Sequence, residues 1–239
     1  MEKLKIKNGI IECMMVALLL SSMFVLSKST AHLTNQYYSV SSTSVVEKGK
    51  LVVLDAGHGG NDPGKIGVNG AVEKEINLAI TLRVKSLLEA NDVTVLMTRE
   101  SDVGLYEEED DNKKVVDLKN RIQIMNEAVP DIIVSVHQNS YEEETIRGAQ
   151  TFYYETSKVG QEVAELFQEN LVKDLDPTNH RVAKGNDTYY ILKETTYPIV
   201  IVECGFLSNW EEADLLITKE YQEKIAWSLH LSILQYLNQ

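Results

Sequence analysis

The chain of 239 residues has few cysteines and a deficit of positive charge. It contains two cysteines, Cys13 and Cys204, and the first lies in an apolar N-terminal stretch, so we expect no intramolecular disulfide. Its 23 lysines and arginines are outnumbered by 36 aspartates and glutamates, which gives a net charge of -13. Such an acidic chain is poorly suited to phosphate backbones, so nucleic acid is not an expected partner.

The N-terminus has an apolar run that is shorter than the roughly 20 residues of a full membrane span. Three lysines among the first seven residues precede the apolar stretch over residues 13–26, and small residues follow at 29–31. This order is typical of an export signal with a cleavage site. We therefore expect residues 1–31 to be either a signal peptide or an N-terminal membrane anchor. Residues 32–49, rich in serine and threonine, are expected to be a linker.

From residue 50 onward, strand patterns alternate with helix patterns, which predicts one domain over residues 50–239. Its fold class is α/β, a three-layer α/β/α fold with a mostly parallel, twisted sheet. The expected strands span residues 51–55, 93–98, 132–137, 149–154, 188–192 and 199–203. The expected helices span residues 73–90, 116–128, 159–175, 211–217 and 220–237. Acidic runs at 107–111 and 142–144 are predicted to be solvated loops.

Three of the predicted strands end in side chains that can bind a metal ion. The first strand leads to His58, the third to His137 and the last to Glu203, and Glu73 begins the first helix. The carboxyl ends of parallel strands meet at one edge of a sheet, where ligands collect in α/β folds. A carboxylate at the end of an apolar strand is costly to bury unless a cation or a reacting proton compensates it.

These four residues fit the requirements of a zinc hydrolase. Catalytic zinc prefers three nitrogen and oxygen ligands and a water, and a further carboxylate can serve as the general base. Each residue taken singly has a structural alternative. A histidine at a strand end is often a hydrogen-bonded core residue, and Glu73 could complement the helix dipole. Glu203 could pair with Arg99 or Arg121. Taken together, the four residues favour a metal site.

The glycine-rich segment after the first strand also matches a nucleotide-binding pattern. Residues 59–65 read G-G-N-D-P-G-K, which satisfies G-x-x-x-x-G-K. A phosphate-binding loop requires serine or threonine next, followed directly by a helix. Ile66 occupies that position and the helix pattern begins only at Glu73. We therefore expect no nucleotide.

Four further side chains receive less specific predictions. Asn139 either contacts the substrate or is a turn residue. Arg121 is expected to form a structural ion pair. Cys204 should lie on the opposite face of the sheet from Glu203, as a small core residue. Asn209, with Ser208, should cap the helix that follows.

The chain resembles the zinc-dependent N-acetylmuramoyl-L-alanine amidases of the Amidase_3 group. The resemblance covers residues 50–237 and is carried by G-H-G-G, by E-K at the start of the first helix, by S-V-H-Q-N and by V-E-C-G-F-L-S-N. It implies that Zn²⁺ is bound by His58, Glu73 and His137, and that Glu203 is the catalytic residue. The implied reaction hydrolyses the amide bond between the lactyl group of muramic acid and L-alanine in peptidoglycan.

Within this family, the chain is most similar to the sporulation and germination-specific amidases of spore formers. That likeness implies peptide removal in the spore cortex before muramic-δ-lactam forms, and a location outside the cytoplasm, at the membrane or the cell wall. No wall-binding module is evident, so either a membrane tether or an accessory, activating protein would bring the enzyme to its polymer. Two alternatives stay open: a related zinc peptidase or deacetylase acting on cell-wall peptides, and a non-catalytic wall-binding protein.

Overall fold

The computed structural model describes residues 49–239. The expected leader over residues 1–31 and nearly all of the expected linker lie outside these residues. Within the described part of the chain, no helix combines the length and the apolar character needed to cross a membrane.

Six strands form one sheet in the spatial order β2-β1-β3-β6-β4-β5. Strands β2, β1, β3 and β6 are parallel, whereas β4 pairs antiparallel with β6 and parallel with β5. The strands are β1 (Leu51–Ala56), β2 (Thr94–Met97), β3 (Ile132–Asn139), β4 (Gln150–Tyr154), β5 (Lys184–Asn186) and β6 (Ile199–Phe206).

Helices cover both faces of the sheet, but unequally. The helices are α1 (Glu73–Glu89), α2 (Lys113–Ala128), α3 (Lys158–Asp174), α4 (Tyr190–Glu194), α5 (Trp210–Leu216) and α6 (Lys219–Leu237). Helices α1, α3 and α6 pack on one face and bury the larger apolar core with Val134 and Val202. On the other face, α2 and the short α4 cover a smaller core around Ile133 and Ile201. This thinner cover leaves space above the carboxyl ends of β3 and β6.

The predicted three-layer α/β fold with a mostly parallel sheet is confirmed, with one element wrong. We expected a strand over residues 188–192, but the chain there enters α4 after the short strand β5. The cause is Asn186, whose Oδ1 accepts hydrogen bonds from the backbone N–H groups of Thr188 and Tyr189. This side-chain turn ends β5 and starts the helix, and it overrides the β-branched and aromatic pattern.

The central strands bring their carboxyl ends to one edge, as predicted. Strand β3 lies between β1 and β6, and His137 is directly opposite Glu203 in the parallel register. Because side chains alternate between faces, His137 and Glu203 both point to the thinly covered face. The pairing of β1 with β3 ends at Ala56, so the segment that carries His58 leaves the sheet beside them.

A buried ion pair connects the strands and the helix that lie beneath this edge of the sheet. Arg121 of α2 donates from Nη1 to Asp55 Oδ1 at 2.7 Å, and both side chains are almost fully buried. Asp55 also accepts hydroxyl hydrogen bonds from Thr98 and Ser135, each at 2.6 Å. One carboxylate therefore joins β1, β3, the end of β2 and α2. The predicted structural ion pair of Arg121 is confirmed, and its partners are Asp55 and, one helical turn away on α2, Asp117, whose Oδ2 lies 2.6 Å from Arg121 Nε.

The charge of Asp55 is stabilised in the folded state. Burial alone would raise the pKa of this carboxyl, but Arg121 and the two hydroxyl donors outweigh burial and lower the pKa to about 2. An unfolded aspartate titrates near pH 3.9. The stabilisation is therefore fully present above about pH 4 and is lost as the pH falls towards about 2.

Replacing Asp55 with asparagine should lower the free energy of unfolding at pH 7 by about 3–5 kcal/mol, because Arg121 loses a buried counter-charge. The variant should also lose less stability than the wild type between about pH 4 and pH 2, since this carboxyl no longer titrates there. Denaturant unfolding at several pH values measures both effects. Asp131→Asn is the matched control, because Asp131 accepts an exposed hydrogen bond from Leu51 N at the other end of β1. Equal stability of the two variants would contradict the role given to Asp55.

Candidate metal centre

His58 lies on the loop that follows β1 and has an unusual backbone conformation. Its φ is +62°, in the left-handed region that residues other than glycine rarely adopt. Arg121 Nη2 donates to the His58 carbonyl oxygen at 2.6 Å. The ring is oriented with Nε2 3.2 Å from Glu73 Oε1, while Nδ1 is 2.9 Å from Asp62 Oδ2. His58 is therefore fixed at its carbonyl and at both ring nitrogens.

Glu73 is the first residue of α1, but its carboxylate faces the two histidines. The side chain is 3% exposed, and Oε1 lies 3.2 Å from His58 Nε2 and 3.0 Å from His137 Nδ1. Backbone N–H groups also donate to it, Gln138 to Oε1 at 3.1 Å and Lys65 to Oε2 at 2.8 Å. Burial opposes ionisation, yet the hydrogen bonds and charges of His137 and His58 hold the pKa of Glu73 well below its usual range. Glu73 is thus held as an anion.

His137 occupies the last part of β3 with its ring edge-on to His58, the two ring centroids being 5.0 Å apart. Burial would lower the pKa of the imidazole, but the hydrogen bond and charge of Glu73 raise it. His137 therefore presents Nδ1 towards the same carboxylate oxygen as His58 presents Nε2.

The three side chains have the chemistry and the spacing of a zinc site. One ligand atom from each of His58, Glu73 and His137 lies within 4.8 Å of the others. Tetrahedral zinc with bonds of about 2.0–2.2 Å holds neighbouring ligand atoms roughly 3.3 Å apart. The distances of 3.0 and 3.2 Å between Glu73 and the two imidazoles are close to this spacing. The donor set fits a divalent metal of the zinc class.

Two glycines leave the space that this arrangement needs. A Cβ at Gly57 would lie 2.2 Å from the His137 ring, and a Cβ at Gly64 would lie 2.5 Å from Glu73 Oε2. Gly64 also has φ +69°. Any larger residue at these positions would displace a ligand side chain. The glycines around His58 therefore serve close packing of the site as well as the turn.

Glu203 lies beside the three-residue cluster without joining it. The residue is 7% exposed, and Oε2 is buried with no hydrogen-bond partner among the residues that the structure describes. Burial and the negative charge of Glu73 raise its pKa against the opposing effect of His137, to about 7. Glu73 and Glu203 are thus two neighbouring carboxyls with opposite pKa shifts, an arrangement that separates an ionised group from a proton-transfer group.

A cavity of about 360 Å³ opens over this cluster on the thinly covered face of the sheet. His58, His137 and Glu203 form its floor. Its other walls come from α2, from α4 with the residue before it and from the His58 loop, among them Leu118, Tyr189, Tyr190, Ile191, Lys114 and Asp62. A polar floor under largely apolar walls is typical of a pocket for an organic substrate.

The remaining predicted residues have mixed outcomes. Cys204 is fully buried in the core on the opposite face from Glu203, as predicted, and Asn209 caps α5 through the Glu212 N–H. Glu203 forms no ion pair with Arg99 or Arg121 in the described part of the chain. Asn139 is not among the described residues that line the cavity, and its Oδ1 accepts the Ser140 N–H at 2.8 Å. A substrate contact by Asn139 stays a prediction.

Sequence reasoning missed two groups of residues at the site. Asp62, which contacts the His58 ring, lies inside the segment whose sequence matches a phosphate-binding pattern. Tyr189 and Tyr190 reach the cavity because the chain turns at Asn186. The sequence pattern over residues 188–192 predicts a strand and gives no sign of this turn. A spacing of four residues predicts a side-chain contact in a helix, but His58 and Asp62 lie in an irregular loop. Their contact could therefore not be predicted from the spacing.

The sequence matches a known family over almost all of its described length. Residues 52–235 match the family model described as N-acetylmuramoyl-L-alanine amidase. The germination-specific N-acetylmuramoyl-L-alanine amidase of Bacillus subtilis is 36% identical over 194 residues, covering 80% of this chain and 81% of that protein. The amidase LytC of the same organism is 29% identical, over 79% of this chain and 36% of its own length.

The fold is also similar to solved structures. The CwlD amidase from Clostridioides difficile, solved in complex with the GerS lipoprotein, superposes with a TM-score of 0.77 and 43% identity. That similarity covers 79% of this chain and 98% of the CwlD chain. Together with the family match, it identifies the fold and the reaction. The chain belongs to the N-acetylmuramoyl-L-alanine amidase family and is an amidase acting on peptidoglycan.

Proposed function

We propose that the chain is a zinc-dependent N-acetylmuramoyl-L-alanine amidase in which His58, Glu73 and His137 bind the metal and Glu203 transfers the proton. The observation that carries this proposal is the convergence of these four side chains at the carboxyl edge of β1, β3 and β6. Glu73 contributes a charge that offsets part of the charge of a divalent cation, and two imidazoles complete a nitrogen and oxygen ligand set.

A zinc ion in this site supplies water activation and polarisation of the amide carbonyl. The protein supplies the proton transfer. Glu203, whose side chain lines the cavity, takes a proton from the attacking water on its carboxylate and returns it to the nitrogen of the departing L-alanine, so that the amine leaves neutral. A pKa of about 7 suits a group that must both accept and donate a proton near neutral pH.

The cavity walls are suited to a peptide linked to a glycan. Leu118, Tyr189 and Ile191 provide apolar and aromatic surface next to the floor, and they shield the reacting amide from bulk water. The amide carbonyl must reach the floor between His58, His137 and Glu203. The lactyl group and the L-alanine would then extend along opposite sides of the cavity.

We infer the finer biological role from the similarity to relatives. We assign the enzyme to the spore cortex, where peptide removal precedes muramic-δ-lactam formation, because a germination-specific amidase is among its most similar relatives. The solved CwlD amidase is bound to a lipoprotein, so we infer that an accessory protein at the outer side of a membrane assists this chain as well. Export by residues 1–31 would deliver it there. We therefore propose that it acts between the two membranes of a forespore.

The purified wild type should bind about one zinc ion per chain. His58→Ala should lose most of this zinc, because one of three protein ligands is removed, whereas Glu203→Gln should retain it. Metal content after dialysis measures both. Equal zinc in His58→Ala and the wild type would remove His58 from the ligand set.

Glu203→Gln should reduce amide hydrolysis by about 10²–10⁴-fold, since an amide side chain cannot accept and return the proton. Mass analysis of digested peptidoglycan, with zinc content equal in the two samples, measures the free stem peptide. Substantial release of intact stem peptides by this variant would contradict the catalytic role of Glu203. Release of peptide fragments by the wild type would instead indicate a peptidase.

Spores formed without this protein should lack muramic-δ-lactam, because the lactam requires a muramic acid whose peptide has been removed. Complementation with the wild type should restore the lactam, and complementation with Glu203→Gln should not. Normal lactam content in the deletion strain would place the enzyme outside cortex synthesis.

A further inference from the structure

The segment 59–65, whose sequence imitates a phosphate-binding loop, forms a tight hairpin next to His58. Gly59 and Asp62 exchange two backbone hydrogen bonds, of 3.0 and 3.1 Å, around the turn at Gly60 and Asn61. Gly59 and Gly60 have φ values of +137° and +56°, which a β-carbon would strain. The hairpin returns the chain so that Asp62 lies against the ring of His58.

Asp62 contacts the ring nitrogen of His58 that is turned away from Glu73. Asp62 Oδ2 lies 2.9 Å from His58 Nδ1, while His58 Nε2 lies 3.2 Å from Glu73 Oε1. A neutral imidazole has one N–H donor and one acceptor nitrogen. In the neutral imidazole that metal ligation requires, Nδ1 would donate to Asp62 and the lone pair at Nε2 would face the cluster of candidate ligands.

The hairpin itself is held in place independently of His58. Asp62 Oδ1 accepts the Gly64 N–H at 3.2 Å, and Lys114 of α2 lies 3.2 Å from Oδ2. The same segment reaches Glu73, because the Lys65 N–H donates to Glu73 Oε2 at 2.8 Å. One short segment therefore contacts two of the three proposed ligands from outside the cluster.

This support matters because the backbone of His58 is strained. A left-handed conformation is unfavourable for an L-residue, and it persists only where the surroundings impose it. Arg121 holds the carbonyl group of His58, but nothing in that contact fixes the rotation of the ring. The contact with Asp62 restrains the ring at Nδ1, in addition to the contact between Nε2 and Glu73.

We propose that Asp62 is a positioning residue for the metal site, which holds the His58 ring with Nε2 free for the metal. This inference rests on the proposed function, since it assumes that His58 is a zinc ligand. Carboxylates that accept the second N–H of a ligand histidine raise metal affinity, and their removal typically costs 10–100-fold. Here the carboxylate comes from the hairpin of the glycine-rich loop itself.

Asp62→Ala should weaken zinc affinity by about 10–100-fold, measured by competition with a chelator in the full chain. Asp102→Ala is the matched control. Asp102 accepts the Gly60 N–H at 2.9 Å and so also supports this hairpin, but it makes no hydrogen bond to the His58 ring. The control should keep wild-type affinity to within about threefold, a change of under about 1 kcal/mol. Asp62→Asn, which retains one acceptor oxygen, should fall between Asp62→Ala and the wild type.

Thermal unfolding of the metal-free proteins separates positioning from general destabilisation. Comparable melting temperatures for Asp62→Ala and Asp102→Ala, with zinc affinity reduced only in the first, support the proposal. Wild-type zinc affinity in Asp62→Ala would overturn the positioning role and leave the zinc site intact. Equal losses of affinity in both variants would also overturn it, because hairpin support alone would then explain the effect. Failure of the wild type to bind zinc would refute the proposed function, and the role of Asp62 with it.

Discussion

The anionic carboxylate of Glu73 is the group around which the active-site edge is arranged. It is buried at the start of α1, and a buried charge is tolerated only when its surroundings compensate it. Two imidazoles and two backbone N–H groups do so, and they come from the His58 loop, from β3 and from the glycine-rich segment. The His58 loop, the glycine-rich segment and β3 therefore all contact the carboxylate that α1 provides. The contacts among Glu73, His58 and His137 have the spacing that the proposed metal binding requires, so the site would be formed before the metal binds.

The unequal cover of the two sheet faces determines where the chemistry can occur. Three long helices cover one face. Cys204, which follows Glu203 in the sequence, is fully buried on that face. On the other face α2 and α4 leave the cavity open above the strand ends. Arg121 of α2 closes the base of this region by pairing with Asp55 and by binding the His58 carbonyl. The cavity is thus open above the strand ends, while its base is held by the hydrogen bonds of Arg121.

Much of this arrangement could be predicted from sequence because it follows from periodicity. Apolar strands that end in His58, His137 and Glu203 must bring those residues to one edge if the strands are parallel and adjacent, and β1, β3 and β6 are. The features that were missed depend on single side chains acting over short loops. Asn186 turns the chain before Tyr189, and Asp62 reaches His58 through a hairpin. Propensity and spacing carry no signal for either, because both depend on hydrogen bonds whose geometry exists only after folding.

The proposed coordination of zinc by two imidazoles and a carboxylate at this edge of the sheet can be measured by X-ray absorption at the zinc edge of the zinc-loaded chain. We expect a shell of nitrogen and oxygen atoms at about 2.0–2.2 Å with the outer-shell pattern of two imidazoles, and no sulfur. A sulfur scatterer at about 2.3 Å, or a shell of oxygen atoms without imidazole, would contradict it.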